Sequence, residues 1–228
     1  MIDKVYPDSA AAVADIPDGA VIMFGGFGDA GVAENLTRAL ADQGAKDLVA
    51  ISNAAGQMER GLSMLFRNNQ VRKILASFPV PGQSDAFEER LKSGETELEL
   101  IPQGTLVERM RAAAAGLGGI YTPTGVGTPV AEGKEVRAID GREYVLELPL
   151  AADYAILKAH RGDRMGNVVY RMTARNFNPP MAAAARVTII EVEERVEVGA
   201  LDPERVDTPG IFVQRIVEGG HYERGWVE

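Results

Sequence analysis

Asp18-Gly19-Ala20-Val21-Ile22-Met23-Phe24-Gly25-Gly26-Phe27-Gly28-Asp29-Ala30-Gly31 decides how this chain is read. An apolar run ends at Phe24 and helical patterning begins near Glu34, so the stretch reads as strand, bare turn and helix start. Glycines at such a turn let a ligand come close to backbone N–H groups. Gly26, Gly28 and Gly31 also satisfy the G-x-G-x-x-G spacing of dinucleotide sites. Such a site needs an acid about 20 positions on, at the end of the second strand, to hold the ribose hydroxyl. Here the second apolar run, Leu48 to Ser52, leads into Asn53-Ala54-Ala55-Gly56-Gln57, with Asp47 before it and Glu59 well past it. Neither acid sits where the ribose would be, which argues against nicotinamide or flavin binding. Taken alone, the loop equally describes a tight turn with no ligand.

Outward from this loop, short apolar runs alternate with helical patterns. That alternation predicts an α/β fold with an open, largely parallel sheet flanked by helices. Strands are expected at Val21 to Phe24, Leu48 to Ser52, Val71 to Ala76 and Leu98 to Ile101. Helices are expected at Glu34 to Gln43, closed by Gly44, at Asp85 to Leu91, closed near Gly94, and at Thr105 to Ala115. The second half changes style, because Val136 to Ile139 and Arg142 to Leu146 flank Asp140-Gly141, a hairpin signal. Ala155 to Ala159, Val168 to Arg171 and Val187 to Val192 are expected to complete the sheet. The alanines at 112–115 and 182–185 suggest close helix packing. No internal repeat and no linker-like segment divides residues 1–228, which predicts a single domain.

Composition narrows the function. With 228 residues, 46% of them hydrophobic and 25% charged, the chain has ordinary globular usage. It has no cysteine, which excludes disulfides, thiolate metal sites and a cysteine nucleophile. A net charge of −9 argues against nucleic-acid binding, which depends on clustered cations. No run approaches the ~20 apolar residues of a membrane span, and the first residues are not patterned as a signal or transit peptide. A cytoplasmic location is therefore expected. Two histidines, His160 and His221, lie far apart, so no metal site is expected. Ser52 is not in a nucleophile elbow, and paired acids such as Glu88-Glu89 and Glu193-Glu194 read as solvated surface. The chain shows no self-evident nucleophile.

The pattern from Asp18 to Gly31 resembles the signature of the family I CoA-transferases, in their A (alpha) chain. Ile51-Ser52-Asn53-Ala54-Ala55-Gly56 is similar to that family's S-N-N-A-G loop. Pro102-Gln103-Gly104-Thr105-Leu106, followed by Glu108-Arg109, Arg111 and Ala112, is similar to its P-Q-G-T-L-x-E-R-x-R-A segment. Tyr121 to Gly125, Glu132 to Lys134, Lys158 to His160, Asp163 to Asn167 and Ala174 to Phe177 follow in family order, so the resemblance covers about Val21 to Ile216. It implies a ping-pong enzyme in which the nucleophilic glutamate belongs to a B subunit, in an assembly of the α2β2 type. That glutamate attacks an acyl-CoA, passes through an anhydride and becomes a glutamyl-CoA thioester before a second acid reverses the steps. Coenzyme A thioester is then a substrate, and no cofactor is permanently bound. The A subunit supplies a water-poor site and donors for developing oxyanions.

Carried over by position, the resemblance assigns Asn53 and Gln103 to support catalysis through their uncharged amide donors. Gly25, Gly26, Phe27 and Gly28 are assigned to the substrate side, with Ala54 beside Asn53 and Gly104 beside Gln103. An Asx-turn for Asn53, a helix-start contact for Gln103 and core packing for Phe27 stay open as plainer roles. Lys158, His160, Arg161 and Arg164 either offset substrate charge or form surface ion pairs. Two positions depart from the family pattern. Gly31-Val32-Ala33 lacks its proline, and Ala54 replaces the second asparagine of S-N-N-A-G, which bears on acyl specificity.

Ser77-Phe78-Pro79 and Glu132 to Arg137 resemble the 3-oxoadipate branch, whereas Gly220 to Arg224 resembles the 3-oxoacid (acetoacetate) branch. Succinyl-CoA is expected as donor, with 3-oxoadipate ahead of acetoacetate as acceptor. The alternative is a phosphosugar isomerase or a small-molecule-sensing domain of the same fold type.

Overall fold

The computed structural model of the protein describes residues 3–80 and 82–219. His221 and the stretch Gly220 to Arg224 lie outside the described residues. Helix α1 (Ser9–Val13) leads into β1 (Val21–Phe24), α2 (Glu34–Gln43), β2 (Leu48–Ser52) and α3 (Leu62–Arg67). Next come β3 (Val71–Ala76), α4 (Asp85–Ser93), β4 (Glu97–Leu100) and α5 (Gln103–Ala114). The second half holds β5 (Ile120–Thr122), β6 (Val136–Ile139), β7 (Arg142–Glu147), β8 (Ala152–Asp163) and β9 (Val168–Val169). It ends with α6 (Asn178–Ala184), β10 (Ala185–Val196) and β11 (Arg215–Glu218).

The main sheet runs β11-β10-β8-β1-β2-β3-β4, with every neighbouring pair parallel. Strand β9 pairs antiparallel with β8. Successive residues of β1 serve opposite faces, as pleating requires. Ile22 and Phe24 join Leu36, Leu40, Leu65 and Phe66 of α2 and α3, whereas Met23 joins Leu106, Met110 and Met181 of α5 and α6. The sheet is thus covered on both faces, which accounts for near-continuous apolar strands such as Leu48–Ser52. Each fully buried Leu or Ile contributes about 1.5–3 kcal/mol. Helix α4 starts where Ser84 accepts the Phe87 N–H, and α2 stops at Gly44, whose φ of 88° no branched side chain adopts comfortably.

Strand order reverses between β1 and β8: from β1 the chain builds outward through β2, β3 and β4, then returns to add β8, β10 and β11. At such a switch point the loops leaving the strand ends diverge and open a crevice.

Several expectations shift. The hairpin turns at Asp140-Gly141, with φ of 49° and 78°, as its primed-turn signal requires. It does not extend the main sheet; with β5 it forms a separate sheet in the order β5-β7-β6. Strands β8 and β10 run well past the expected Ala159 and Val192, pairing from Ala152↔Ala185 to Asp163↔Val196. Their charged ends are matched across the ladder, with Arg161 directly opposite Glu194. Strand β9 stops at Val169 because Asp207 then takes the Tyr170 N–H. Helices α1, α3 and α6 and strands β5 and β11 are elements that the sequence pattern does not announce.

Candidate active site

The loops leaving β1 and β2 wall a cleft of about 780 Å³, open mouth included. They are built alike. Phe27 and Ala30 exchange backbone hydrogen bonds at the tip of one, and Gln57 and Arg60 do so in the other. Gly26 and Gly31 bracket the first tip, and Gly56 and Gly61 the second. The correspondence does not register as a sequence repeat because what the loops share is backbone shape, not side-chain identity.

Gly25, Gly26, Phe27 and Gly28 all line the cleft, as do Asn53 and Ala54. Gly25 is required by packing: an added Cβ would lie 1.9 Å from Asn178 Oδ1, which accepts the Lys158 N–H. Phe27 is half exposed, at 51%, so core packing is not its role; Phe78 faces the same cleft and is 53% exposed.

Asn53 is buried at the end of β2. Its Oδ1 accepts Gln103 Nε2 at 2.7 Å and Ser77 Oγ at 3.0 Å, while its carbonyl accepts the N–H groups of Ser77 and Phe78. These bonds tie β2, β3 and α5 together and replace the Asx-turn alternative. With the oxygen engaged, what Asn53 offers a ligand is its Nδ2 amide. Gln103 is the first residue of α5, yet its contact reaches across 50 positions. Gly104 is exposed behind it, and neither Gln103 nor Gly104 lines the cleft itself.

Glu34 is a site residue that the sequence reading misses. It begins α2 on the cleft wall, where its Oε2 accepts the Gly61 N–H at 3.1 Å and so joins the two loops. Burial pushes its carboxyl above the usual range, against the opposing pull of that N–H and of the Arg60 guanidinium. The available signal is its place directly after the glycine loop.

Lys158, His160 and Arg161 lie on β8 and pair with acids of β10. Glu193 takes His160 Nδ1 at 2.9 Å and Lys158 Nζ at 3.5 Å, and Glu194 takes Arg161 at 3.1 Å. Glu193 is therefore not the solvated surface acid expected: its side chain is only 20% exposed. Burial works to raise its carboxyl, but His160, Lys158 and Arg171 hold it below the usual range. Arg164 lies just beyond β8, where its carbonyl accepts the Lys4 N–H. Among the described residues no three His, Asp or Glu gather as metal ligands, and no helix is long and apolar enough to cross a membrane.

A cleft walled by the glycine loops that leave β1 and β2, with Asn53 on its lining and Gln103 bonded behind it, defines a candidate small-molecule site on a doubly covered parallel sheet. Residues 6–219 match the family described as Coenzyme A transferase. The A subunit of 3-oxoadipate CoA-transferase from Pseudomonas putida is 54% identical over 95% of this chain and 94% of its own length. The A subunit of the probable succinyl-CoA:3-ketoacid coenzyme A transferase from Bacillus subtilis (strain 168) is 49% identical over 97% of this chain and 92% of its own. Among solved structures, the acyl-CoA transferase YdiF of E. coli O157:H7, a thioester complex with CoA, superposes with a TM-score of 0.83 at 25% identity. That match takes in 96% of this chain and 47% of YdiF, so the chain spans about half the solved protein. The chain belongs to the coenzyme A transferase family.

Proposed function

We propose that this chain is the A subunit of a CoA-transferase that moves CoA from succinyl-CoA to a 3-oxo acid, with 3-oxoadipate favoured and acetoacetate next. Its nucleophile is a glutamate of the B subunit, and the two chains form an α2β2 enzyme of the cytoplasm. The observation that carries the reading is the Asn53–Gln103 amide pair, 2.7 Å apart beside an apolar cleft.

The partner's glutamate attacks the thioester carbonyl of succinyl-CoA and expels CoA as thiolate, leaving a mixed anhydride. The thiolate attacks the glutamyl carbonyl of that anhydride, releasing succinate and forming the glutamyl-CoA thioester. The acceptor carboxylate then repeats these steps in reverse and leaves as the new acyl-CoA. Each attack develops negative charge on a carbonyl oxygen. Asn53 Nδ2 supplies a hydrogen bond to it, and Gln103 holds Asn53 in that orientation through its oxygen. Phe27 and Phe78 cover the apolar part of the acyl group and keep water from the anhydride. Glu34, the glutamate of this chain that lines the cleft, is engaged by Gly61 and is assigned a structural role.

The reading is supported by similarity to A subunits named for 3-oxoadipate and for 3-ketoacids. The test is CoA transfer from succinyl-CoA to each acid by this chain together with its B subunit. Transfer to neither acid would refute the proposed substrates.

A further inference from the structure

We propose that Ser52 selects the acceptor acid by donating its hydroxyl to the 3-oxo group, an inference that rests on the CoA-transfer reading above. Among the described residues, three buried polar side chains line the cleft: Thr37, Ser52 and Asn53. The Thr37 hydroxyl donates to the Ala33 carbonyl at 2.7 Å, and the Asn53 oxygen is held by Gln103 and Ser77. The Ser52 hydroxyl bonds to none of the described residues, although Ser52 is only 6% exposed. Nor is it sealed off. Among the described residues, the unpartnered polar atoms shut inside the protein are Gln70 Oε1, Thr105 Oγ1 and Arg161 Nε. Buried hydroxyls are seldom left idle, so Ser52 Oγ is completed by what occupies the cleft.

Strand alternation gives the direction of this side chain. Leu48 and Ala50 of β2 join Phe24 and Leu62 in the core on the α2 and α3 side, whereas Val49 and Ile51 join Leu106 on the α5 side. Ser52 therefore falls on the α2 and α3 side, where Phe24, Ala33 and Leu62 line the cleft. Asn53 falls on the other side and meets Gln103 of α5. The two side chains thus flank the end of β2, on Cα atoms about 3.8 Å apart.

A 3-oxo acid presents a comparable pair, since its carboxyl and keto carbons are separated by one methylene group. With the reacting carboxyl at the Asn53 amide, the keto oxygen is the partner of the neighbouring Ser52. A ketone oxygen only accepts, and a hydroxyl is the uncharged donor it needs. Succinyl-CoA carries a methylene at the same place, so Ser52 serves the acceptor and not the donor. Gln57 and Gln83 also line the cleft, but they are half-buried on loops, and a long amide loses more rotamer freedom on binding than a serine does.

The experiment uses the assembled two-subunit enzyme and Ser52→Ala. Removing an unpartnered hydroxyl breaks no hydrogen bond within the protein, so the thermal unfolding midpoint should not fall. In ping-pong kinetics kcat/KM for each substrate reports its own half-reaction. The variant should lower kcat/KM for 3-oxoadipate and for acetoacetate by about tenfold, the scale of one uncharged hydrogen bond, and leave kcat/KM for succinyl-CoA unchanged. It should also narrow the preference for acetoacetate over butanoate, which has the same chain without the keto group. An equal fall for donor and acceptor, or no change in either, would overturn the proposal and leave Ser52 a packing residue while CoA transfer stands. So would a wild type that uses butanoate as well as acetoacetate. A wild type that uses neither 3-oxo acid would overturn both the proposal and the substrates it rests on.

Discussion

Asn53 is the residue on which the proposed mechanism turns: its oxygen is held by Gln103 and Ser77, and the proposal assigns its amide to substrate. Gln103→Ala should lower kcat by about tenfold or more, measured in the assembled enzyme, with assembly by gel filtration unchanged. An unchanged kcat would remove Gln103 from the site. Gly25→Ala tests a different demand. Its methyl group would collide with Asn178 Oδ1, so unfolding by urea should show a loss of about 1–3 kcal/mol. Both amides and the glycine loop could be read in the sequence through resemblance, since their residue types and spacing carry the pattern. Glu34 could not, because its place in the cleft wall depends on a hydrogen bond to Gly61, 27 positions away on the second loop.

At the scale of elements, local chemistry predicts starts and stops well. Val21–Phe24, Leu48–Ser52, Val71–Ala76, Val136–Ile139 and Glu34–Gln43 lie where apolar period and turn residues place them. Ser84 caps α4 and also accepts a hydrogen bond from Ser63 Oγ; Ser84→Ala should cost about 1 kcal/mol or somewhat more, read by thermal unfolding. The reading falls short where long-range partners govern. Helix α3 lacks a capping side chain, and α6 opens with Asn178-Pro179-Pro180, so neither carries a start signal beyond its packing. Strands β8 and β10 continue through Lys158, His160, Arg161, Glu193 and Glu194 because each strand's charges answer the other's. From either strand alone, those charges mark an end.

In the whole molecule, the sheet's order decides where the cleft opens, and that order follows from pairing no local pattern records. The separate β5-β7-β6 sheet has the same origin. The far edge is fastened by Arg215 of β11, which donates to both Asp15 oxygens at 2.6 and 2.7 Å. Arg215 holds the Asp15 carboxyl below its usual range against the effect of burial. A depressed folded-state pKa adds stability that is present in full above the unfolded value of about 3.9 and is lost as pH falls through the folded value. Asp15→Asn should therefore be less stable than the wild type at pH 7, and the two should converge below about pH 4 in urea titrations. A constant gap across that range would remove the ion pair as its cause.

The division of labour between two chains is the central claim, and one assay tests it most directly. CoA transfer from succinyl-CoA to 3-oxoadipate should be measured for this chain alone, for the isolated B subunit, and for the two together. Turnover by the pair only is the expected result. Turnover by this chain alone would contradict the account, and would move the nucleophile to a glutamate of this chain, with Glu34 the first to replace by glutamine.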